Sequence, residues 1–150
     1  MVHSLPVPAL DPDEQRFRVA AARVARLATL RADGTARLVP ITFVLLDGLV
    51  CSAVDEVKPK RSTRLARLDD VRRDRRAAVL VDHYAEDWTE LWWVRIDGEA
   101  AVHEAGELAE RARAALAAKY PQYATAPPAG PVIVLTPQRW AGWRGGAPPR

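Results

Sequence analysis

The sequence predicts an α+β domain built on an antiparallel β-barrel, with about six strands and flanking helices. Three observations carry this expectation. β-rich runs follow one another directly, Asp-Gly pairs separate several of them, and only three stretches have helical spacing. At 150 residues, 49% hydrophobic and 27% charged, the chain has the composition of one globular domain spanning residues 1–150.

The elements follow in order. Asp11-Pro12-Asp13-Glu14 reads as a helix start, with Asp11 as cap, Pro12 at the first helical position and Glu14 completing a capping-box pattern. Phe17, Ala20, Ala21 and Val24 recur at helical spacing, so they are expected to form the apolar face of a helix ending near Arg23. Three β-rich runs come next, at about 26–30, 36–45 and 49–54, divided by Ala32-Asp33-Gly34 and Asp47-Gly48. They are expected to form an antiparallel meander. Pro40 has no N–H for a ladder, so its strand should carry a bulge or face an open side there.

Leu65, Leu68 and Val71 predict a short helix from about 61 to 72, and Ala77–His83 a further strand. Lys58, Lys60, Arg61 and Arg64 bracket that helix's start. Cations there oppose the helix dipole unless an anion sits among them, so the cluster is either an anion site or a solvated basic face. Arg72, Arg73, Arg75 and Arg76 lie at the other end, where cations suit a helix C-terminus.

The stretch 81–100, VDHYAEDWTELWWVRIDGEA, places Trp88, Trp92 and Trp93 within six residues. It alternates as a strand covered on two sides, with Leu91, Trp93, Arg95 and Asp97 on one face and Trp92, Val94 and Ile96 on the other. A long strand with a Gly-relaxed bend at Asp97-Gly98 is expected. Ala105, Leu108, Ala109, Ala112, Ala115 and Leu116 mark a helix ending near Lys119, and PVIVLTPQRWAGWRG a last strand.

Composition also excludes function classes. No apolar run approaches the roughly 20 residues of a membrane span, and MVHSLPVPALDPDE lacks the features of a secretory signal, so a cytoplasmic location is expected. The single cysteine, Cys51, cannot form an internal disulfide, and His3, His83 and His103 show no ligand spacing, so no metal is expected. Acidic residues interleave with the basic ones and no aromatic platform accompanies the Arg runs, which argues against nucleic acid.

Three segments carry a resemblance to a known family: VARLATLRADGTARLVPITFVLLDG, VKPKRSTRLARLDDVRRDRRAAVLVD and DHYAEDWTELWWVRIDGEA. Their order resembles the split β-barrel proteins related to pyridoxamine 5'-phosphate oxidase, and within them the actinobacterial deazaflavin (coenzyme F420) oxidoreductases, over about residues 15–145. The resemblance implies a homodimer with the cofactor in a groove between subunits, F420 or alternatively FMN. It places Lys58, Lys60, Arg61 and Arg64 near the phosphate, either lysine being its holder, and the Pro40, Ile41 and Thr42 backbone beside the ring. It further implies an oxidoreductase that moves a hydride to or from a small-molecule substrate. A non-catalytic cofactor-binding protein of the same fold is the other reading.

The Trp cluster then has two compatible roles, as interface and core or as a ring wall formed by Trp92 or Trp93. Trp140 and Trp143 either close the pocket or pack the last strand. No Ser-His-Asp, Cys-His or paired-carboxylate set is visible, which fits a reaction run by the cofactor. His83 and Tyr84, at a strand end beside the tryptophans, are the candidate proton donors.

Overall fold

The computed structural model describes residues 9–54 and 63–146, with the backbone alone at 63–65. Helix α1 (Pro12–Ala21) is followed by strands β1 (Ala25–Leu30), β2 (Ala36–Ile41), β3 (Val44–Leu46) and β4 (Leu49–Ala53), then α2 (Thr63–Arg73) and β5 (Arg76–His83). A 3-10 turn at Trp88–Glu90 leads into β6 (Trp92–His103), α3 (Glu107–Lys119) and β7 (Val132–Arg144).

The seven strands form one antiparallel sheet in the order β2-β1-β5-β6-β7-β4-β3. Six strands were expected; the seventh arises because the run 36–45 breaks at Thr42 and Phe43. The meander expectation is corrected at the same point. β2 and β3 occupy opposite edges of the sheet, although only two residues separate them. Three Cα steps reach about 11 Å, whereas the edges of a flat seven-stranded sheet would stand about 29 Å apart. The sheet must therefore curl until its edges meet, which makes it a split barrel.

The seam where the edges meet is tied by polar contacts. Phe43 N–H donates to the Tyr120 hydroxyl at 3.0 Å, Ser52 Oγ donates to the Thr42 carbonyl at 2.8 Å, and Lys119 Nζ donates to the Phe43 carbonyl at 2.9 Å. Phe43 itself is buried in the barrel with Leu27, Val79, Val94 and Ile96. Pro40 sits on the edge strand β2, where its missing N–H leaves no gap in the ladder.

The first helix begins as expected, with Glu14 N–H donating to the Asp11 carboxylate at 2.9 Å. The Glu14 side chain turns instead to Arg18, at 2.8 Å, and does not complete a capping box. Its apolar face is also corrected. Phe17 is 69% exposed, Ala20, Ala21 and Val24 are exposed, and Gln15 and Val19 are buried. The buried stripe includes a glutamine because Gly142 on β7 leaves room for Gln15, whose amide donates to the Leu10 carbonyl at 2.8 Å.

Helix α2 is docked by one buried carboxylate. Asp70 accepts from Thr29 on β1 at 2.9 Å, from Arg37 on β2 at 2.6 Å and from Arg73 at 2.8 Å. The Arg cluster after it is paired: Arg72 with Glu104, Arg75 with Glu99 and Arg76 with Asp74. No helix among the described residues is long and apolar enough to cross a membrane.

Candidate functional site

The register of the sheet places side chains in rungs. Pro40, Arg26, Leu80, Arg95 and Ala141 are successive partners across β2, β1, β5, β6 and β7, and Leu38, Ala28, Ala78 and Asp97 form the next rung. Their buried neighbours Val79, Val81, Val94 and Ile96 face the barrel core, so these rungs face outward. The alternation expected for β6 is the one observed.

On this outer face lies a half-open cavity of about 600 Å³. Trp93 and its cross-strand partner Trp143 supply flat walls, Leu38 and Leu80 the apolar floor, and His83 and Tyr84 the end, together with Trp92, which shares the core-facing side of β6 with Val94 and Ile96, packs against the core and only borders the cavity. His83 and Trp92 are partners across β5 and β6, stacked with ring centroids 6.3 Å apart and planes 20° from parallel. The Arg18 guanidinium also lies over the Trp92 ring, 5.0 Å from its centroid. Both contacts restrict the orientation of the indole.

The polar groups of the cavity are few. Arg26 pairs with Asp82 at 3.4 Å and Arg95 with Asp97 at 3.3 Å, all four being partly exposed. Arg95 also lies 5.7 Å from the centre of the Trp93 ring. Beside the cavity, Trp88 is 68% exposed on a 3-10 turn capped by Asp87, which accepts from Thr89 N–H and hydroxyl. Those two hydrogen bonds hold the Asp87 carboxyl below its ordinary range. The turn is pinned by the chain end, where Gly145 N–H donates to the Leu91 carbonyl at 2.8 Å and a side chain at Gly145 would strike the Trp88 carbonyl.

Of the residues singled out in the sequence, His83, Tyr84, Trp92, Trp93 and Trp143 come together here. Trp140 lies on the other face, against the core and under Arg16 of α1. Pro40 stands on the outer edge, the Ile41 side chain is buried in the core, and the Thr42 hydroxyl bonds to Tyr123 at 2.9 Å. Lys58, Lys60 and Arg61 lie outside the described residues, and Arg64 belongs to the first turn of α2 with its side chain not described. Arg26, Leu38 and Leu80 were missed. Their only signal was apolar or basic character at outward strand positions, and it becomes a site only once the register joins three strands.

Among the described residues no group of three or more His, Cys, Asp or Glu is placed to hold a metal ion. Cys51 is free and fully buried, and burial pushes its thiol up to about 11.

Residues 11–144 match the family model described as pyridoxamine 5'-phosphate oxidase. No curated protein matches the chain. Among solved structures, a conserved hypothetical protein from Mycobacterium tuberculosis aligns with 18% identity and TM-score 0.78, covering 99% of this chain and 96% of that one. An FAD-binding protein from Mycobacterium smegmatis aligns with 19% identity and TM-score 0.62 over 93% of this chain and 99% of its own. A heme-binding protein from the same organism gives 24% identity and TM-score 0.70, covering 93% of this chain and 57% of that one. These likenesses establish the split-barrel fold.

Proposed function

Because the chain belongs to the pyridoxamine 5'-phosphate oxidase family, we propose that it is an oxidoreductase that holds a flavin-type cofactor against its indole-walled cavity. The deazaflavin F420 is the preferred cofactor and FMN the alternative. The observation that carries this reading is the cavity itself: about 600 Å³ of apolar space bounded by Trp92, Trp93 and Trp143, which fits a flat fused ring. Bound there, such a cofactor supplies hydride transfer from its ring. The chain's own residues orient and exclude water. Trp93 and Trp143 stack, and Leu38 and Leu80 keep the floor dry.

His83 is the proton-holding group, because its imidazole lines the cavity while its ring is fixed against Trp92. Lys58, Lys60, Arg61 and Arg64 would bind the phosphate at the start of α2, where free N–H groups and the dipole favour an anion. A second copy of the chain would cover the open side, since Trp88, Tyr84 and Leu38 leave large apolar surface there. The functional unit on this reading is a cytoplasmic homodimer acting on a small molecule.

Titrating the purified protein with F420, FMN, FAD and heme, following tryptophan quenching, tests the proposal. F420 should bind at least tenfold more tightly than FMN, since a basic cluster suits its phosphodiester and acidic tail. Tighter FMN binding would make the chain a flavin enzyme of the same fold. FAD and heme are included because relatives of this fold bind them. No binding of any of the four would sink the oxidoreductase reading.

A further inference from the structure

The indole cavity has two unlike sides. Trp93 and Trp143 wall it on β6 and β7, whereas Leu38, Ala28, Ala78 and Leu80 make an aliphatic side on β2, β1 and β5. Two arginines stand at that aliphatic side. Arg26 and Arg95 belong to one outward rung, with Leu80 between them, and both line the cavity. Strand spacing puts their Cα atoms about 10 Å apart, so the two long side chains can close on one small group above Leu80.

Each guanidinium is held loosely. Arg26 meets Asp82 through a single contact at 3.4 Å, and Arg95 meets Asp97 at 3.3 Å. Pairs in full contact are shorter, as with Arg37 and Asp70 at 2.6 Å or Arg111 and Asp47 at 2.7 Å in this same fold. All four side chains of the loose pairs are partly exposed, where an ion pair contributes little. Most of each donor fork is left for another acceptor. Among the guanidiniums and carboxylates lining the cavity, Arg26 and Arg95 face only Asp82, an excess of one positive charge. Two arginines on one rung, on a face that a second copy of the chain would cover, need an anion in place of the water they lose.

We propose that this side of the cavity is the substrate subsite, and that the substrate is an organic acid with a planar apolar body. Its carboxylate bridges Arg26 and Arg95, drawing them from Asp82 and Asp97. Its body lies on Leu38, Ala28 and Ala78, with one face toward the cofactor ring held by the indoles. Arg95 lies 5.7 Å from the Trp93 ring centroid, so a carboxylate on it sits next to that ring. A carboxylate matches the planar fork of a guanidinium, and its single charge matches the excess of one, which a phosphate dianion would exceed. That the acid is a substrate rests on the oxidoreductase reading above; that a carboxylate binds rests on the two arginines.

The probe is cinnamate, with cinnamamide as its neutral counterpart, titrated calorimetrically at pH 7 into the protein, cofactor-free and saturated with F420. Cinnamate should bind both forms, and cinnamamide at least tenfold more weakly. Arg26→Gln and Arg95→Gln should each weaken cinnamate fivefold or more. Asp82→Asn and Asp97→Asn should each strengthen it twofold or more, because each frees an arginine from its competitor; a gain in affinity cannot come from poor folding. No cinnamate binding at millimolar concentration, equal binding of cinnamamide, or unchanged affinity in both aspartate variants would each overturn the proposal. Displacement of cinnamate by F420 would also overturn it, by assigning the arginines to the cofactor. Cofactor binding without cinnamate binding would leave the oxidoreductase reading standing and remove the organic acid. Arginine-dependent cinnamate binding without any cofactor binding would uphold the carboxylate site and sink the oxidoreductase reading.

Discussion

Asp70 is the residue on which the placement of α2 depends, and its chemistry sets a sign. Its side chain is 3% exposed, and burial alone would raise its pKa. Hydrogen bonds from Arg37, Thr29 and Arg73 outweigh burial and hold the carboxyl below the ordinary 3.8. A group depressed in the folded state stabilises the fold above its unfolded pKa, and the contribution is lost as pH falls through the lower folded value. Asp70→Asn should therefore cost about 2–3 kcal/mol at pH 7, the range for a hydrogen bond to a charged group. Below the ordinary 3.8 the difference between variant and wild type should shrink. Urea unfolding at pH 7 and pH 3 measures both, and an equal cost at the two values would contradict the assignment. Cys51 supplies a second test at this scale. With its thiol raised to about 11 and no exposure, it should react with a thiol reagent at pH 8 only as fast as the protein opens.

At the scale of elements, β6 shows what the sequence disclosed and what it withheld. Alternation from Leu91 to Asp97 identified both faces of the strand, and Asp97-Gly98 identified the irregularity, which appears as a register shift against β7. A Cβ at Gly98 would run into the Thr136 carbonyl, so the position excludes every other residue while the two strands remain paired. Gly98→Ala should destabilise the fold by more than about 2 kcal/mol, and thermal melting checks it. A melting temperature within a degree of wild type would mean the strands shift at no cost.

Other elements were less legible, for stated reasons. The stripe Phe17–Val24 looked like a buried face because it is the apolar one. The packed face of α1 is chosen instead by the space over Gly142, which admits a glutamine. That β2 and β3 lie at opposite edges was invisible because periodicity reports a strand, not its neighbour. For the site, the aromatic members were legible from their clustering. Arg26, Leu38 and Leu80 were not, since each is unremarkable until pairing across three strands collects them.

The whole molecule poses the question of what covers the outer face. Leu38 is 69% exposed, Tyr84 64% and Trp88 68%, all beside or within one half-open cavity, and a soluble monomer seldom leaves so much contiguous apolar surface bare. If a second copy of the chain closes that cavity, assembly and cofactor binding are linked, because each favours the same state. Leu38→Asp adds a charge to the floor of the cavity without touching the core, so the fold should persist by circular dichroism. Sedimentation at micromolar concentration should show wild type as a dimer and Leu38→Asp as a monomer. The monomer should bind F420 at least tenfold more weakly, and excess F420 should drive part of it back to dimer, as linkage requires. Trp93→Ala separates the two effects: with Trp143 left opposite, it should retain the dimer yet lose cofactor affinity through the missing stacking surface. A monomeric wild type that binds F420 as tightly as any variant would remove the shared cavity, and the indole wall would then have to hold its ligand alone.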